Sequence, residues 1–203
     1  MCGRYNFEKD IDDAEMQKIC ELLDKKFAGT TKLEKMKSGE IFPGDIAAVL
    51  IANDSGNGSP WLMEWGFPKW DGKGLIINAR AETVDEKPMF RELLKSRRCL
   101  VPATGYFEWE KQEDSKEKIK HLLKLGNSKM LYMAGIYNII IDAAGAEKQV
   151  FTILTTDANE SVRKIHDRMP LIFEGENRKI WLGDGILALK LLKEKCKAEL
   201  ETA

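Results

Sequence analysis

The second residue of the chain is a cysteine, and that position could give it two nucleophiles. Excision of an initiator Met is favoured before a small residue, and it would leave a free α-amine and a thiol on Cys2. Their ordinary pKa values, about 7.7–8.0 and about 8.5, leave both groups partly reactive near neutral pH. The amine can condense with an aldehyde to an imine, and the thiol can then close on the imine carbon as a thiazolidine. The plainer interpretation, a Cys that merely follows Met, stays open.

Two further residues could transfer protons. His166 lies in Ile-His-Asp-Arg-Met-Pro, where a predicted helix gives way to a strand, and histidine titrates near neutral pH. Glu108 lies between Phe107 and Trp109, so an inward-pointing carboxylate would have a raised pKa, whereas an outward-pointing one would be solvated. Both residues could equally be structural. His121, in a plain strand-like run, is expected to be structural.

Three polar residues alternate with alanines in Asn78-Ala-Arg80-Ala-Glu82. In an extended segment they share one face, because successive side chains point to opposite sides of a strand. The face could be a surface edge or the wall of a polar cleft.

A second group of residues combines positive charge with aromatic rings. The cations could form only a solvated face, and the aromatics could lie in the core. Exposed rings beside cations would instead suit single-stranded nucleic acid, since bases stack on rings while cations follow the phosphates. The residues concerned are Lys69, Arg91, Lys95, Arg97, Arg98, Trp65, Phe67 and Trp70.

Hydrophobic spacing predicts the elements that must position these groups. Apolar residues at three- and four-residue intervals predict a helix over 10–28, with Cys20 buried and Gly29 ending it. Apolar runs bounded by turn residues predict the strands. The predicted strands are 46–52, 61–65, 74–79, 99–102, 106–110, 130–141, 149–155 and 171–173, with 130–141 and 149–155 paired as a hairpin across 142–148.

The remaining segments are predicted as short helices and one charged loop. The predicted helices cover 88–98, 158–165, 177–182 and 187–200, and the loop covers 111–118. The stripe Leu189, Leu192, Cys196 and Leu200 predicts that Cys196 is buried. Because strands do not alternate regularly with long helices, the expected class is α+β with mostly antiparallel sheet, in a single domain over 1–203.

Composition excludes several classes of protein. The chain has 203 residues, 43% hydrophobic and 32% charged, which is typical of a globular domain rather than a disordered one. Its net charge of −1 disfavours a protein that coats nucleic acid nonspecifically, so any such binding needs a local patch. No apolar run reaches the roughly 18 residues of a membrane span, and the N-terminal residues lack the apolar stretch of a secretory signal. We expect a cytoplasmic protein.

The cysteines and histidines do not predict a metal site. Cys2, Cys20, Cys99 and Cys196 form no C-x-x-C pair, and the chain has only two histidines. We therefore expect no metal and no cofactor.

Taken together, a set of ordered motifs resembles the SRAP family, the SOS-response-associated peptidases that process abasic sites. Each piece alone is weak, but the ordered set, spanning residues 1 to about 182, is specific. The pieces are Met-Cys-Gly-Arg-Tyr at the start, Phe-Pro-Gly at 42–44, Glu-Trp-Gly-Phe-Pro-Lys-Trp at 64–70, Ile-Asn-Ala-Arg-Ala-Glu-Thr at 77–83, Met-Phe-Arg at 89–91, Arg-Arg-Cys-Leu-Val-Pro-Ala at 97–103, Gly-Tyr-Phe-Glu-Trp at 105–109 and His-Asp-Arg-Met-Pro-Leu at 166–171.

The resemblance implies a barrel-like fold with peripheral helices and a covalent reaction with abasic sites in single-stranded DNA. It implies that Cys2 supplies the amine and thiol, that Asn78 holds the Cys2 backbone or the opened sugar, and that Glu108 transfers protons. His166 would protonate the sugar oxygen during ring opening. It also implies DNA-binding positions at Arg4, Pro43, Trp70, Arg80 and Met89, and a site-lining hydroxyl at Thr155. The expected partner is abasic single-stranded DNA, with no membrane, and the chain is expected to be a monomer.

The sequence differs from the family pattern in two respects, and two other functions also fit its residues. The predicted helix 187–200 replaces a C-terminal strand common in the family, which leaves the closing of the sheet open. A retained Met1 would block the amine. A cysteine peptidase that processes Met1, with His166 as base, is one alternative, and DNA lyase activity could accompany the adduct chemistry. The other alternative is a noncatalytic module that binds single strands.

Overall fold

The computed structural model describes residues 2–53, 58–112, 117–142 and 144–203. Its fold class is the predicted one, α+β, with mostly antiparallel sheet in a barrel-like arrangement and helices packed against it. No helix in these ranges is long and apolar enough to span a membrane.

The elements are numbered along the chain. The strands are β1 (Arg4–Phe7), β2 (Gly39–Ile41), β3 (Ile46–Ala52), β4 (Gly58–Trp65), β5 (Phe67–Pro68), β6 (Leu75–Ile76), β7 (Asn78–Arg80), β8 (Arg98–Ala103), β9 (Gly105–Lys111), β10 (Lys118–Leu125), β11 (Leu131–Ile141), β12 (Glu147–Asp157), β13 (Arg168–Pro170) and β14 (Leu200–Thr202). The helices are α1 (Ala14–Lys26), α2 (Thr31–Glu34), α3 (Pro88–Ser96), α4 (Glu176–Gly183) and α5 (Gly185–Leu191).

A closed ring of strands forms the barrel. The strands pair in the order β11, β8, β3, β4, β12, and β12 pairs back to β11. All of these pairings are antiparallel except that of β4 with β12. β11 and β12 form the predicted hairpin, since a short connection suffices for antiparallel strands. Beyond the ring, β12 also pairs with β7 in parallel and with β13 antiparallel.

A second, antiparallel sheet carries the N-terminus. Its order is β14, β10, β9, β1, β2, which places β1 in the interior of the sheet between β2 and β9. Side chains from both sheets form one hydrophobic core, in which the rings of Tyr5 and Trp65 lie 5.2 Å apart. Burial of this apolar surface is the main force holding the sheets together.

Helix α1 begins later than the spacing predicts. Asp13 adopts an extended backbone and its side chain accepts hydrogen bonds from the N–H groups of Glu15 and Met16, which makes it the N-cap. Residues 10–12 therefore lie outside the helix. Its buried residues include Met16, and Cys20, predicted to be buried, is only partly so.

Two predictions about the basic and aromatic residues are settled by burial. Arg98 is not on a solvated face: it is buried, and its guanidinium donates to the carbonyl oxygens of Leu94, Lys95, Trp181 and Leu182. Trp65 and Phe67 lie in the core, whereas Trp70 is fully exposed.

The segment between β12 and β13 is not the predicted helix. Residues 160–165 form successive turns, in which the N–H groups of Val162 and Arg163 donate to the Asn159 carbonyl. The following strand lies at 168–170, three residues before the predicted 171–173, where only Ile172 forms an isolated bridge, to Met133. The predicted helix over 177–182 is confirmed as α4.

The predicted helix over 187–200 is wrong beyond residue 191, and the chain instead ends in a strand at the edge of the second sheet. Helix α5 ends at Leu191, and the chain then runs irregularly to β14, which pairs with β10 from Leu123 to Leu125. Leu192, Cys196 and Leu200 are buried as predicted, but the side chain of Leu189 is exposed. In the predicted loop 111–118, residues 113–116 lie outside the described ranges.

Candidate functional site

Cys2 lies two residues before the start of β1 and is fully buried. The Nδ2 of Asn78 donates a 2.8 Å hydrogen bond to the Cys2 carbonyl oxygen, which fixes the backbone that carries both nucleophiles. Burial, and then the negative charge of Glu108, raise the pKa of the Cys2 thiol. Both effects favour the neutral form of the thiol.

Asn78 is held by the pairing of β7 with β12, in which it lies opposite Ile153. The strand alternates as the sequence predicts: Ala79 is buried, while Arg80 is exposed. Among the described residues the buried Oδ1 of Asn78 has no hydrogen-bond partner. Next to Cys2 there is therefore an amide oxygen able to accept a hydrogen bond from a hydroxyl or an amine.

Glu108 lies on β9 with its carboxylate turned into the protein, where only 2% of the residue is exposed. Strand β9 pairs with β1, so that Arg4 stands opposite Phe107. This pairing brings Glu108 close enough for its charge to act on the Cys2 thiol. The inward alternative left open by the sequence is the one that the structure shows. His121, opposite Glu108 on β10, binds Glu110 at 2.8 Å instead.

His166 lies in the connection between β12 and β13, with about a quarter of its side chain exposed. Its Nδ1 accepts the Arg168 N–H at 2.9 Å and is 2.8 Å from the Asp167 carboxylate. Residue 155 of β12 pairs with both Arg80 of β7 and Pro170 of β13. The strand pairings therefore place the His166 connection at the end of β12 that also carries β7. The buried Thr155 hydroxyl contacts the Ala79 carbonyl at 3.5 Å.

An ion-pair network beside His166 was not predicted from the sequence. Arg168 donates from Nη1 and Nη2 to the two carboxylate oxygens of Glu82, each at 2.8 Å. Burial lowers the pKa of Arg168, but the bonds and charge of Glu82 outweigh it and raise the pKa overall. For Glu82 the same bonds outweigh burial and lower the pKa. The sequence shows Glu82 and Arg168 only as charged residues in two separate motifs, and nothing in it indicates that they form an ion pair.

Most of the predicted DNA-binding residues are exposed, and one of them, Arg4, also contacts neighbouring side chains. Arg4 lies 4.6 Å from the Phe42 ring and 5.0 Å from the Trp109 ring, and it pairs with Glu40 at 3.2 Å. The side chains of Pro43, Trp70, Arg80 and Met89 are exposed, as contacts with a nucleic acid require.

A second cation extends the Arg4 cluster and was also missed in the sequence. Lys120 lies 4.0 Å above the Phe107 ring and pairs with both oxygens of Glu40, at 2.8 and 2.9 Å. Lys120 stands opposite Trp109 in the pairing of β10 with β9. Outward-facing rings and two cations thus share one side of the second sheet, with Glu40 between the cations.

The site is suited to covalent chemistry with a carbonyl compound. It combines a neutral thiol, a fixed backbone, an inward carboxylate and a histidine at the adjacent strand end. Within the described part of the chain, no three His, Cys, Asp or Glu side chains cluster as metal ligands would.

Comparisons with known proteins identify the family of the chain. The family model described as SOS response associated peptidase (SRAP) matches residues 1–202. The abasic site processing protein YoqW of Bacillus subtilis is 38% identical over 188 residues, covering 90% of this chain and 80% of that protein. The abasic site processing protein HMCES of Xenopus tropicalis is 27% identical, covering 95% and 70%.

A solved structure supports the fold. The crystal structure of a Bacteroides thetaiotaomicron protein has a TM-score of 0.75 and 25% identity, covering 99% of this chain and 91% of that one. The match of the family model over nearly the whole chain, together with the YoqW identity, shows that the chain belongs to the SOS response associated peptidase (SRAP) family.

Proposed function

We propose that this protein processes abasic sites in DNA by forming a covalent thiazolidine between Cys2 and the lesion in single-stranded DNA. The observation that carries the proposal is the environment of Cys2, whose carbonyl is bound by Asn78 and whose thiol is buried beside Glu108. Relatives named abasic site processing proteins support the choice of substrate. An abasic sugar opens to an aldehyde, which is the group that an aminothiol captures.

The amine acts first in this scheme. A neutral thiol is a poor nucleophile, whereas the α-amine of a processed Cys2 is partly unprotonated near neutral pH. The amine nitrogen attacks the aldehyde carbon, and loss of water gives an imine. The sulfur then adds to the imine carbon while the thiol proton ends on the nitrogen, so that atoms and charge balance. In this scheme Glu108, whose carboxylate is buried, accepts and returns these protons.

The remaining residues assist the ring opening and hold the strand. His166 donates the proton that the sugar oxygen needs as the ring opens, and takes it back on reversal. The Oδ1 of Asn78, which has no other described partner, accepts from the opened sugar. Arg4 and Arg80 contact phosphates, Pro43, Trp70 and Met89 contact the bases beside the lesion, and Thr155 lines the site.

The rival functions predict different environments. A cysteine peptidase with a thiolate nucleophile needs the thiol pKa lowered, typically by a neighbouring positive charge. Here burial and a carboxylate raise it. Removal of Met1 as a self-processing step, and strand cleavage as a lyase, would accompany the adduct chemistry rather than replace it. We also propose that residues 1–203 act as one domain, since one family model covers nearly the whole chain. A cytoplasmic location and a monomeric state are further parts of the proposal.

The test is the intact mass of the processed protein after mixing with an abasic single-stranded oligonucleotide. The wild type should gain the mass of the oligonucleotide minus one water and keep it after denaturation. Cys2→Ser retains the amine and should give only a hydrolysable imine. A stable adduct of undiminished yield with Cys2→Ser would refute the thiazolidine, and equal noncovalent binding of intact and abasic strands without any adduct would favour the noncatalytic module.

The proton-transfer role is tested by Glu108→Gln, which keeps the shape and removes the base. Its single-turnover rate of adduct formation should fall by about 10²–10⁴-fold, the usual contribution of a general acid–base group. Affinity for an intact single strand should be unchanged. A wild-type rate across the pH range would show that the proton is transferred elsewhere.

A further inference from the structure

One guanidinium ties together three segments around the site. Arg168 opens β13, and its Nη1 and Nη2 bind both oxygens of Glu82, which follows β7. Nη2 also donates to the Thr155 carbonyl oxygen of β12 at 2.7 Å. The side chain of Arg168 is only 11% exposed. A charge this enclosed requires a matched partner, since an unpaired buried charge is strongly destabilising.

The same residue touches His166 through its backbone. The Arg168 N–H donates to His166 Nδ1 at 2.9 Å, and a neutral imidazole can accept there only if its proton is on Nε2. Nδ1 is also 2.8 Å from the carboxylate of Asp167, to which an Nδ1–H could donate, but the Asp167 side chain is 86% exposed and so is solvated. Two contacts on one nitrogen therefore favour opposite tautomers of the neutral ring, and the enclosed Arg168 N–H favours the form with its proton on Nε2.

We propose that Glu82 is a positioning residue that acts through Arg168 on His166. The bidentate pair locks the start of β13 against β7 and β12, and the locked backbone N–H presents His166 as the Nε2–H form. This rests on the proposed function to the extent that His166 transfers a proton to the opened sugar. Glu82 itself touches no substrate in this scheme.

The geometry makes the pair hard to replace. Arg presents its donors in a rigid planar fork that matches both oxygens of a carboxylate, which a lysine cannot do. Asp157 also contacts Arg168 Nη1, at 2.5 Å, but its side chain is 82% exposed and so is solvated. Glu82→Gln keeps the shape, removes the charge and leaves at most one acceptor oxygen for the fork.

The first experiment is a double-mutant cycle on the rate of adduct formation. Glu82→Gln should slow single-turnover reaction with abasic single strands by at least about 5-fold, below the full general acid contribution of about 10²–10⁴. In a His166→Ala background the same change should cost less than about 2-fold, because the group it positions is gone. Multiplicative losses would overturn the proposal, as would a wild-type rate for Glu82→Gln.

A matched control separates positioning from general loss of an ion pair. Glu15 forms the same two-pronged contact with Arg178, joining α1 to α4. Glu15→Gln should leave the rate unchanged even where it lowers the unfolding midpoint. If Glu82→Gln folds poorly, Arg168→Lys, which keeps the charge and loses the fork, should show the same dependence on His166. A flatter salt dependence of intact-strand binding in Arg168→Gln, which removes the charge, would instead make Arg168 a phosphate contact and overturn the proposal.

The second experiment needs no DNA and so fails independently of the proposed function. The chain contains only two histidines, His121 and His166, so ¹⁵N-histidine spectra can be assigned with His166→Ala. About two units above the ordinary histidine pKa of about 6.5, wild-type His166 should be the Nε2–H tautomer, and Glu82→Gln should shift it toward a mixture. An unchanged tautomer overturns the proposal whatever the rates show. A shifted tautomer with a wild-type His166→Ala rate keeps the positioning and removes the proton role.

Discussion

Glu40 forms ion pairs with two cations, Arg4 and Lys120. All three lie on the side of the second sheet where we propose that DNA binds. The Glu40 carboxylate is 3.2 Å from Arg4 Nη1 and 2.8 Å from Lys120 Nζ. The hydrogen bond from Lys120 has the largest effect and lowers the pKa of Glu40; burial opposes it, and the hydrogen bond from Arg4 and the two positive charges bring the pKa below its ordinary value. A phosphate that binds Arg4 and Lys120 must replace this carboxylate. We therefore expect Glu40→Gln to bind single-stranded DNA more tightly than the wild type.

The size of the gain follows from the exposure of the pairs. The side chains of Arg4 and Lys120 are each 39% exposed, and partly exposed ion pairs contribute about 0.2–1 kcal/mol each. The two together would oppose DNA binding by about 0.5–1.5 kcal/mol, or about 2–10-fold in affinity at 1.4 kcal/mol per tenfold. The plot of log K against log salt should steepen by up to about 0.7 for each newly contacted phosphate. Near 1 M salt, where the Debye length is about 3 Å, the gap should close.

The assay is fluorescence anisotropy of a labelled intact single strand, titrated at several salt concentrations. Glu21→Gln is the control, because it makes the same change in net charge on α1, where Glu21 pairs only with Lys18, at 3.7 Å, among the described residues. If the two variants bind equally at every salt concentration, the gain is a general effect of net charge. In that case Glu40 does not compete with phosphate, and the Arg4 side of the sheet is not part of the DNA path.

Three further predictions follow from burial and charge. Trp70→Ala removes a fully exposed ring, so the free energy of unfolding should change by less than about 0.5 kcal/mol. The loss of base stacking should weaken binding of a single strand by about 1–3 kcal/mol. An unchanged affinity, measured by anisotropy, would show that Trp70 does not contact the DNA. Under native conditions iodoacetamide should modify Cys20 before Cys2, because Cys20 is partly exposed whereas Cys2 is buried and the pKa of its thiol is raised. Peptide mass spectrometry measures the order of modification, and the reverse order would contradict the burial argument. Because the pKa of Glu82 is lowered in the folded state, its ion pair stabilises the fold above the unfolded pKa of about 4.3, and this stability is lost as pH falls through the folded pKa. In urea unfolding, the difference in free energy of unfolding between wild type and Glu82→Gln should therefore shrink below about pH 4. A difference independent of pH would mean that the charge of Glu82 contributes nothing to its contact with Arg168.

Local patterns predicted most of the longer strands, since turn residues bound those apolar runs, but β1, β2, β5 and β14 were not predicted and β13 lies before the expected 171–173. Segment 46–52 matches β3 at both ends, and the hairpin of β11 and β12 pairs as expected. The start of α1 was missed because capping by Asp13, rather than the apolar period, decides it. Residues 187–200 have helical spacing, yet β14 pairs with β10. A stripe of buried residues can be satisfied by an irregular segment, so tertiary pairing overrides the local preference.

The candidate site was predictable in its members but not in its geometry. Sequence motifs named Cys2, Asn78 and Glu108, but which way Glu108 points depends on the pairing of β9 with β1, about 100 residues apart in the chain. The contact between Glu82 and Arg168 spans a similar separation and has no local signal. Trp65 lies on β4 and is buried in the core, whereas Trp70 lies in the turn that follows β5 and is exposed.

The interior position of β1 in its sheet constrains when the N-terminus can mature. Arg4 pairs with Phe107 on one side and Tyr5 with Ile41 on the other, so Cys2 is enclosed only once β9 has been made. At about 5–20 residues per second, the intervening stretch takes about 5–20 s to synthesise. During that interval the first residues are an accessible, extended peptide. Removal of Met1, which the proposed chemistry requires, therefore competes with folding, and fast folding or slow excision would trap a blocked population in which Cys2 is buried and inert.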